Sequence, residues 1–102
     1  MIDLLEHAKE DIQALCRCHG VSRLSAFGSA VEGAFGESSD VDFLVEFDAS
    51  MAPVEVAEAF FSLKEALETR LGRPVDLVTP HALSNPWLRD SVRESEALLY
   101  AA

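Results

Sequence analysis

Residues 27–45 read FGSAVEGAFGESSDVDFLV, and two unlike patterns meet there. From residue 41 to 47, Val41, Phe43, Val45 and Phe47 alternate with Asp42, Leu44 and Glu46. That period of two is the pattern of a strand with one face against a core. The aromatic and β-branched set is expected to face helices, and Asp40 and Asp42 to project together from the other face. Ahead of this strand, Gly28-Ser29 follows a short strand-like run, VSRLSAF, at 21–27. A glycine between a strand and a helix start lets the backbone approach a phosphate closely, and free N–H groups there favour an anion. Ser29 adds a hydroxyl donor. Two carboxylates on one strand face repel each other unless something positive lies between them. Mg²⁺ suits that place, because it prefers oxygen ligands and completes its shell with water and substrate phosphates.

Outward from this stretch, helical and extended segments alternate. Leu5, Ala8, Ile12, Leu15 and Cys16 recur at three- and four-residue steps, which predicts a helix over 2–19 with one apolar stripe. Asp3 is the expected N-cap and Gly20 the expected stop. After the breaker Ala52-Pro53, the stripe Val56, Phe60, Leu63, Leu67 and Leu71 predicts a second long helix over 54–71, ended by Gly72. PVDLVT at 74–79 reads as a further strand with Asp76 in its middle. Asn85 and Pro86 have the chemistry of an N-cap and a first helical position. Ala97–Tyr100 fits either helix or a short edge strand. Trp87 and Leu88 fit either core or interface, with core the default for such residues. The fold class is therefore α/β (α+β): a small mixed sheet of three or more strands, helices on one face, and an open face bearing the carboxylates.

A chain of 102 residues is expected to form a single domain, 1–102, with one modest core. Its hydrophobic fraction of 49% fits a folded protein rather than a disordered one. Eighteen acids against eight Lys and Arg leave a formal charge of −10. That balance repels nucleic acid and leaves divalent cations and basic protein surfaces as attractive partners. No apolar run approaches the roughly 20 residues that span a bilayer, and the acidic N-terminus does not read as a secretion signal, so the cytoplasm is the expected location. Cys16 and Cys18 lie in CRCHG beside a histidine. Structural zinc needs four ligands, and residues two apart on a helix point to different faces, so two thiols in a reducing compartment are the plainer reading.

Singly, each candidate has an ordinary explanation: Gly-Ser is a common turn, Asp40 can start a strand from a Ser-Ser-Asp turn, and Asp42 or Asp76 can simply face solvent. In this order they resemble something specific. Gly28-Ser29, ten residues, Asp40-x-Asp42 and then Asp76 in VDLV resemble the nucleotidyltransferases of the DNA polymerase β type. The short length is similar to the minimal (MNT) branch, and the resemblance runs from the first helix to the last. It implies that Gly28 and Ser29 hold the β- and γ-phosphates of ATP. It implies further that Asp40, Asp42 and Asp76 bind Mg²⁺, two ions when nucleotide is bound, and that Asp76 helps to deprotonate an acceptor hydroxyl. Gly33 matches the glycine that closes the turn. Glu32 stands where many relatives carry arginine, and a carboxylate there opposes a triphosphate.

Members of the minimal branch are similar to antitoxins paired with an all-helical HEPN ribonuclease toxin, and some move AMP from ATP to a tyrosine hydroxyl of that toxin. The expected function is therefore a Mg²⁺-dependent nucleotidyltransferase acting as antitoxin in a type VII-like pair. The alternative is a weakly active or inactive antitoxin that neutralises its partner by stoichiometric contact, a reading that Glu32 and the acidic surface favour. A third reading, transfer to a small molecule, lacks the extra helical domain that such relatives use to hold their acceptor. Oligomeric state is open at this level.

Overall fold

The structure, a computed structural model, describes residues 2–32 and 40–102, with Glu32 described through its backbone alone. Gly33 and the side chain of Glu32 lie outside the described residues. The order is α1 (Asp3–Cys18), β1 (Val21–Phe27), the single turn α2 (Ser29–Glu32), β2 (Val41–Phe47), α3 (Pro53–Leu71), β3 (Val75–Val78), a 3-10 turn (Pro80–Ser84), α4 (Pro86–Ser95) and β4 (Ala97–Ala101). The sheet order is β3-β2-β1-β4. β1 is antiparallel to both β2 and β4, whereas β3 runs parallel to β2. A parallel pair needs a crossover connection, and α3 is that crossover.

The two long helices lie where their stripes require. Leu5, Ala8, Ile12 and Cys16 of α1 and Leu63, Leu67 and Leu71 of α3 pack on Leu24, Ala26, Val41, Phe43, Val45 and Leu77 of the sheet. Phe43 is the largest fully buried side chain among the described residues. Burying a residue of that size contributes about 1.5–3 kcal/mol, so the alternation in β2 sets the orientation of the whole sheet. α3 ends on Gly72 at φ 67°, a left-handed C-cap whose N–H bonds the carbonyl of Glu68. At the start of α3, Glu55 Oε1 accepts from the Ala52 amide at 2.9 Å.

Several local expectations are revised. The N-cap of α1 is Ile2, not Asp3, and makes no side-chain cap bond; its own N–H instead bonds the Ala30 carbonyl at 3.0 Å, tying the helix start to α2. Ala97–Ala101 is an edge strand. α1 and α3 cover one face as expected, and α4 adds cover on the other. There Phe27, Leu44 and Val92 form a second small cluster with Val78, Leu83 and Leu88. Leu44, grouped with the polar positions of β2, is thus buried under α4. Trp87 is 87% exposed and only Leu88 of that pair turns inward. Asn85 caps α4 as expected by accepting from the Trp87 amide at 3.0 Å. No helix of the described residues is long and apolar enough to cross a membrane.

Candidate active site

Three parts of the sequence meet at one end of the sheet because of strand register. In the antiparallel β1/β2 ladder Phe27 lies opposite Asp42, so the turn after Phe27 is beside that carboxylate. In the parallel β2/β3 ladder Asp42 lies opposite Asp76, which places both side chains on the same face. The register is held at that end by the Val41 amide bonding Pro74 O at 2.9 Å and by Glu68 Oε2 accepting from the Val75 amide at 3.0 Å. Asp40 precedes β2 and is exposed, as is Asp76, while Asp42 is half-buried.

Burial, followed by the charges of Asp76 and then Asp40, pushes Asp42 up to about 6. A half-buried carboxylate flanked by the charges of two others makes a donor set suited to a hard cation. Among the described residues, however, no three or more Asp, Glu, His or Cys side chains gather closely enough to hold an ion by themselves. A hard cation held here would rest on one or two carboxylates, with other ligands completing its shell.

Gly28 has φ 72°, and a Cβ on it would lie 2.8 Å from Asp42 Oδ2. The left-handed backbone favours glycine here, and any side chain would have to displace the Asp42 carboxylate. Its amide is not free, contrary to expectation. It donates to Ser95 Oγ at 2.7 Å, and Ser95 Oγ in turn donates to Ser91 O at 2.6 Å. Ser95, only 6% exposed near the C-terminal end of α4, was not among the residues singled out from sequence. A serine in a polar helix carries no signal of such a contact; its role follows from α4 packing across the sheet. Ser29, half-buried, opens α2 beside the turn.

The cysteine pair separates. Cys16 is in the core, where burial pushes its thiol up to about 12, and Cys18 is exposed. The neighbouring His19 contacts Leu15 O at 2.7 Å and Ser62 Oγ at 3.0 Å, so CRCHG serves the α1–α3 junction. A groove of about 790 Å³ between α1 and α3 contains none of the motif residues.

Residues 8–100 match the nucleotidyltransferase domain family, and the chain belongs to that family. By class it is a nucleotidyltransferase. It is 34% identical over 93 residues to the protein adenylyltransferase MntA of Thermococcus cleftensis, covering 83% of this chain and 90% of that one. A solved structure named as a candidate minimal nucleotidyltransferase is 37% identical, with TM-score 0.70, covering 94% of this chain and 95% of its own. The fold is also that of the MNT antitoxin complex of Shewanella oneidensis, solved with a tri-AMPylated HEPN toxin: TM-score 0.64 at 20% identity, covering 95% of this chain and 72% of that one.

Proposed function

We propose that this protein is a Mg²⁺-dependent protein adenylyltransferase that moves AMP from ATP to a tyrosine hydroxyl of a HEPN-type toxin and so acts as an antitoxin. The observation that carries the reading is the register that sets Asp42 opposite Asp76 with the Gly28 backbone against Asp42. The names of the Thermococcus and Shewanella proteins support the reaction and the partner class. In this reading Asp40 and Asp42 hold Mg²⁺ with Asp76 as the third acid, and the ion supplies charge neutralisation for the triphosphate.

The chain's own groups do the rest. Ser29 Oγ donates to the β- or γ-phosphate, and the missing side chain of Gly28 leaves room for the triphosphate to lie against the turn. Asp76 accepts the proton of the acceptor hydroxyl as its oxygen attacks the α-phosphorus. The new P–O bond forms as the bond from the α-phosphorus to the bridging oxygen breaks, and pyrophosphate leaves with that electron pair. The rate gain comes from alignment and from fixed charge. Asp40 and Asp76 are exposed, so a protein surface rather than a buried cavity completes the site.

One observation favours a second reading, stoichiometric binding with little turnover. The Gly28 amide is committed to Ser95 and must change partner before it can serve a phosphate. One experiment separates the two: incubate the protein, Mg²⁺ and ATP with its HEPN-type partner, then weigh the partner. An AMP-sized gain that Asp42→Asn abolishes supports transfer. Neutralisation of the partner with no change in mass overturns it in favour of binding.

A further inference from the structure

β4 is an edge strand. It pairs with β1 on one side, and among the described residues no strand pairs with its other side. Its sequence, ALLYA, contains no charge and no proline, and the one irregularity in its pairing with β1 is a register shift that leaves Leu99 as an extra residue. Leu98 is 49% exposed on it. A groove of about 350 Å³ runs along this edge, between Leu98–Ala101 and the α1 residues Lys9, Gln13 and Arg17. Gln13 Nε2 donates to Leu99 O at 3.0 Å, so a side chain already supplies a strand carbonyl with a donor.

The α1 side of this groove carries two cations and no carboxylate, on a molecule of net charge −10. The chain carries eight Lys and Arg at a net charge of −10, and two of the eight line this one groove. Neither is in an ion pair among the described residues. The spacing is also regular. Lys9 and Arg17 are two steps of four along α1, about 12 Å at 1.5 Å per residue. Residues i and i+4 of an extended chain lie about 13 Å apart on one face. Two carboxylates four residues apart on an added strand would therefore reach both cations, with the residue between them facing Gln13.

We propose that the β4 edge and the Lys9/Gln13/Arg17 stripe form a docking groove for an extended acidic segment of a partner protein, which adds as a fifth strand. Backbone hydrogen bonds to the edge supply the register, and the two cations select the side chains. A second copy of this chain is disfavoured as the occupant, because a two-fold pairing of β4 edges would bring the same basic stripes together. The inference is independent of the nucleotidyl-transfer reading and uses none of its residues.

The probe is a fluorescein-labelled peptide, Val-Glu-Val-Thr-Val-Glu-Val, compared with the same peptide carrying Lys for Glu, against the whole protein. Anisotropy should show saturable binding of the Glu peptide that weakens as salt screens the two pairs. Amide shifts in NMR spectra should centre on 97–101. The double reversal Lys9→Glu/Arg17→Glu, at exposed helical positions, should weaken the Glu peptide roughly tenfold and favour the Lys peptide. Circular dichroism of that variant should be unchanged. Binding that ignores the reversal, shifts centred elsewhere, or no saturable binding would each overturn the proposal. So would a dimer in sedimentation that buries β4 and withstands addition of the Glu peptide.

Discussion

Asp42→Asn should make the metal-free protein more stable. Asp42 is raised from 3.8 to about 6, with burial the largest cause and Asp76 and Asp40 following. A shift of about two units corresponds to a ceiling of about 3 kcal/mol at full ionisation. Because the side chain is only half-buried, solvent screening reduces this to about 1.5 kcal/mol. The sign follows from proton affinity. The native state binds this proton more tightly than the unfolded chain does, so stability is highest below about pH 4 and falls as pH rises through about 6. Above that the penalty is constant. Removing the charge should therefore gain about 1.5 kcal/mol at pH 8, but only about half as much at pH 5. On a chain of this length such a gain moves Tm upward by about 6–10 °C. Urea unfolding in a chelating buffer at the two pH values, wild type beside variant, gives the answer. A variant equal to or weaker than wild type at pH 8, or a gain that does not change with pH, refutes the reasoning. The same substitution should abolish adenylyl transfer, so that stability and activity move in opposite directions, as expected of a site that concentrates like charge for a ligand.

Two more substitutions test the turn. Gly28→Ala places a methyl group 2.8 Å from Asp42 Oδ2 at a backbone φ of 72°; it should cost about 1–3 kcal/mol in chemical denaturation and raise the KM for ATP. An unchanged midpoint would mean that the turn relaxes freely. Ser95→Ala leaves the Gly28 N–H without its acceptor, a loss of about 1–3 kcal/mol if no water replaces it. Hydrogen exchange of the Gly28 amide should accelerate in that variant, and unchanged exchange would refute the bond.

Much of the architecture was legible because its signals are local. The alternation through Val41–Phe47 requires a strand, the three- and four-residue stripes around Ile12 and Leu67 require helices, and Gly72 and Asn85 end or start helices by backbone chemistry that needs no distant partner. What was not legible depended on which element landed on which. Ile2 caps α1 in place of Asp3 because its amide is taken by Ala30, a contact 28 positions away. Ala97–Ala101 has helix-forming and strand-forming residues alike, and only the free side of β1 decides for strand. Trp87 is exposed because the inward face of α4 is taken by Leu88 and Val92.

The candidate site divides in the same way. The order of Gly28, Ser29, Asp40, Asp42 and Asp76 along the chain suggested the donors and their chemistry through its resemblance to a family, whereas singly each residue had an ordinary explanation. Their meeting was a matter of register: Asp42 is opposite both Phe27 and Asp76 because β2 lies between an antiparallel and a parallel neighbour, and a slip of one residue would turn its carboxylate into the core. The raised proton affinity of Asp42 and the capture of the Gly28 amide by Ser95 are likewise properties of the folded chain. Charge and hydrogen bonding act over a few ångströms in space, and only tertiary packing brings residues so far apart in sequence within that range.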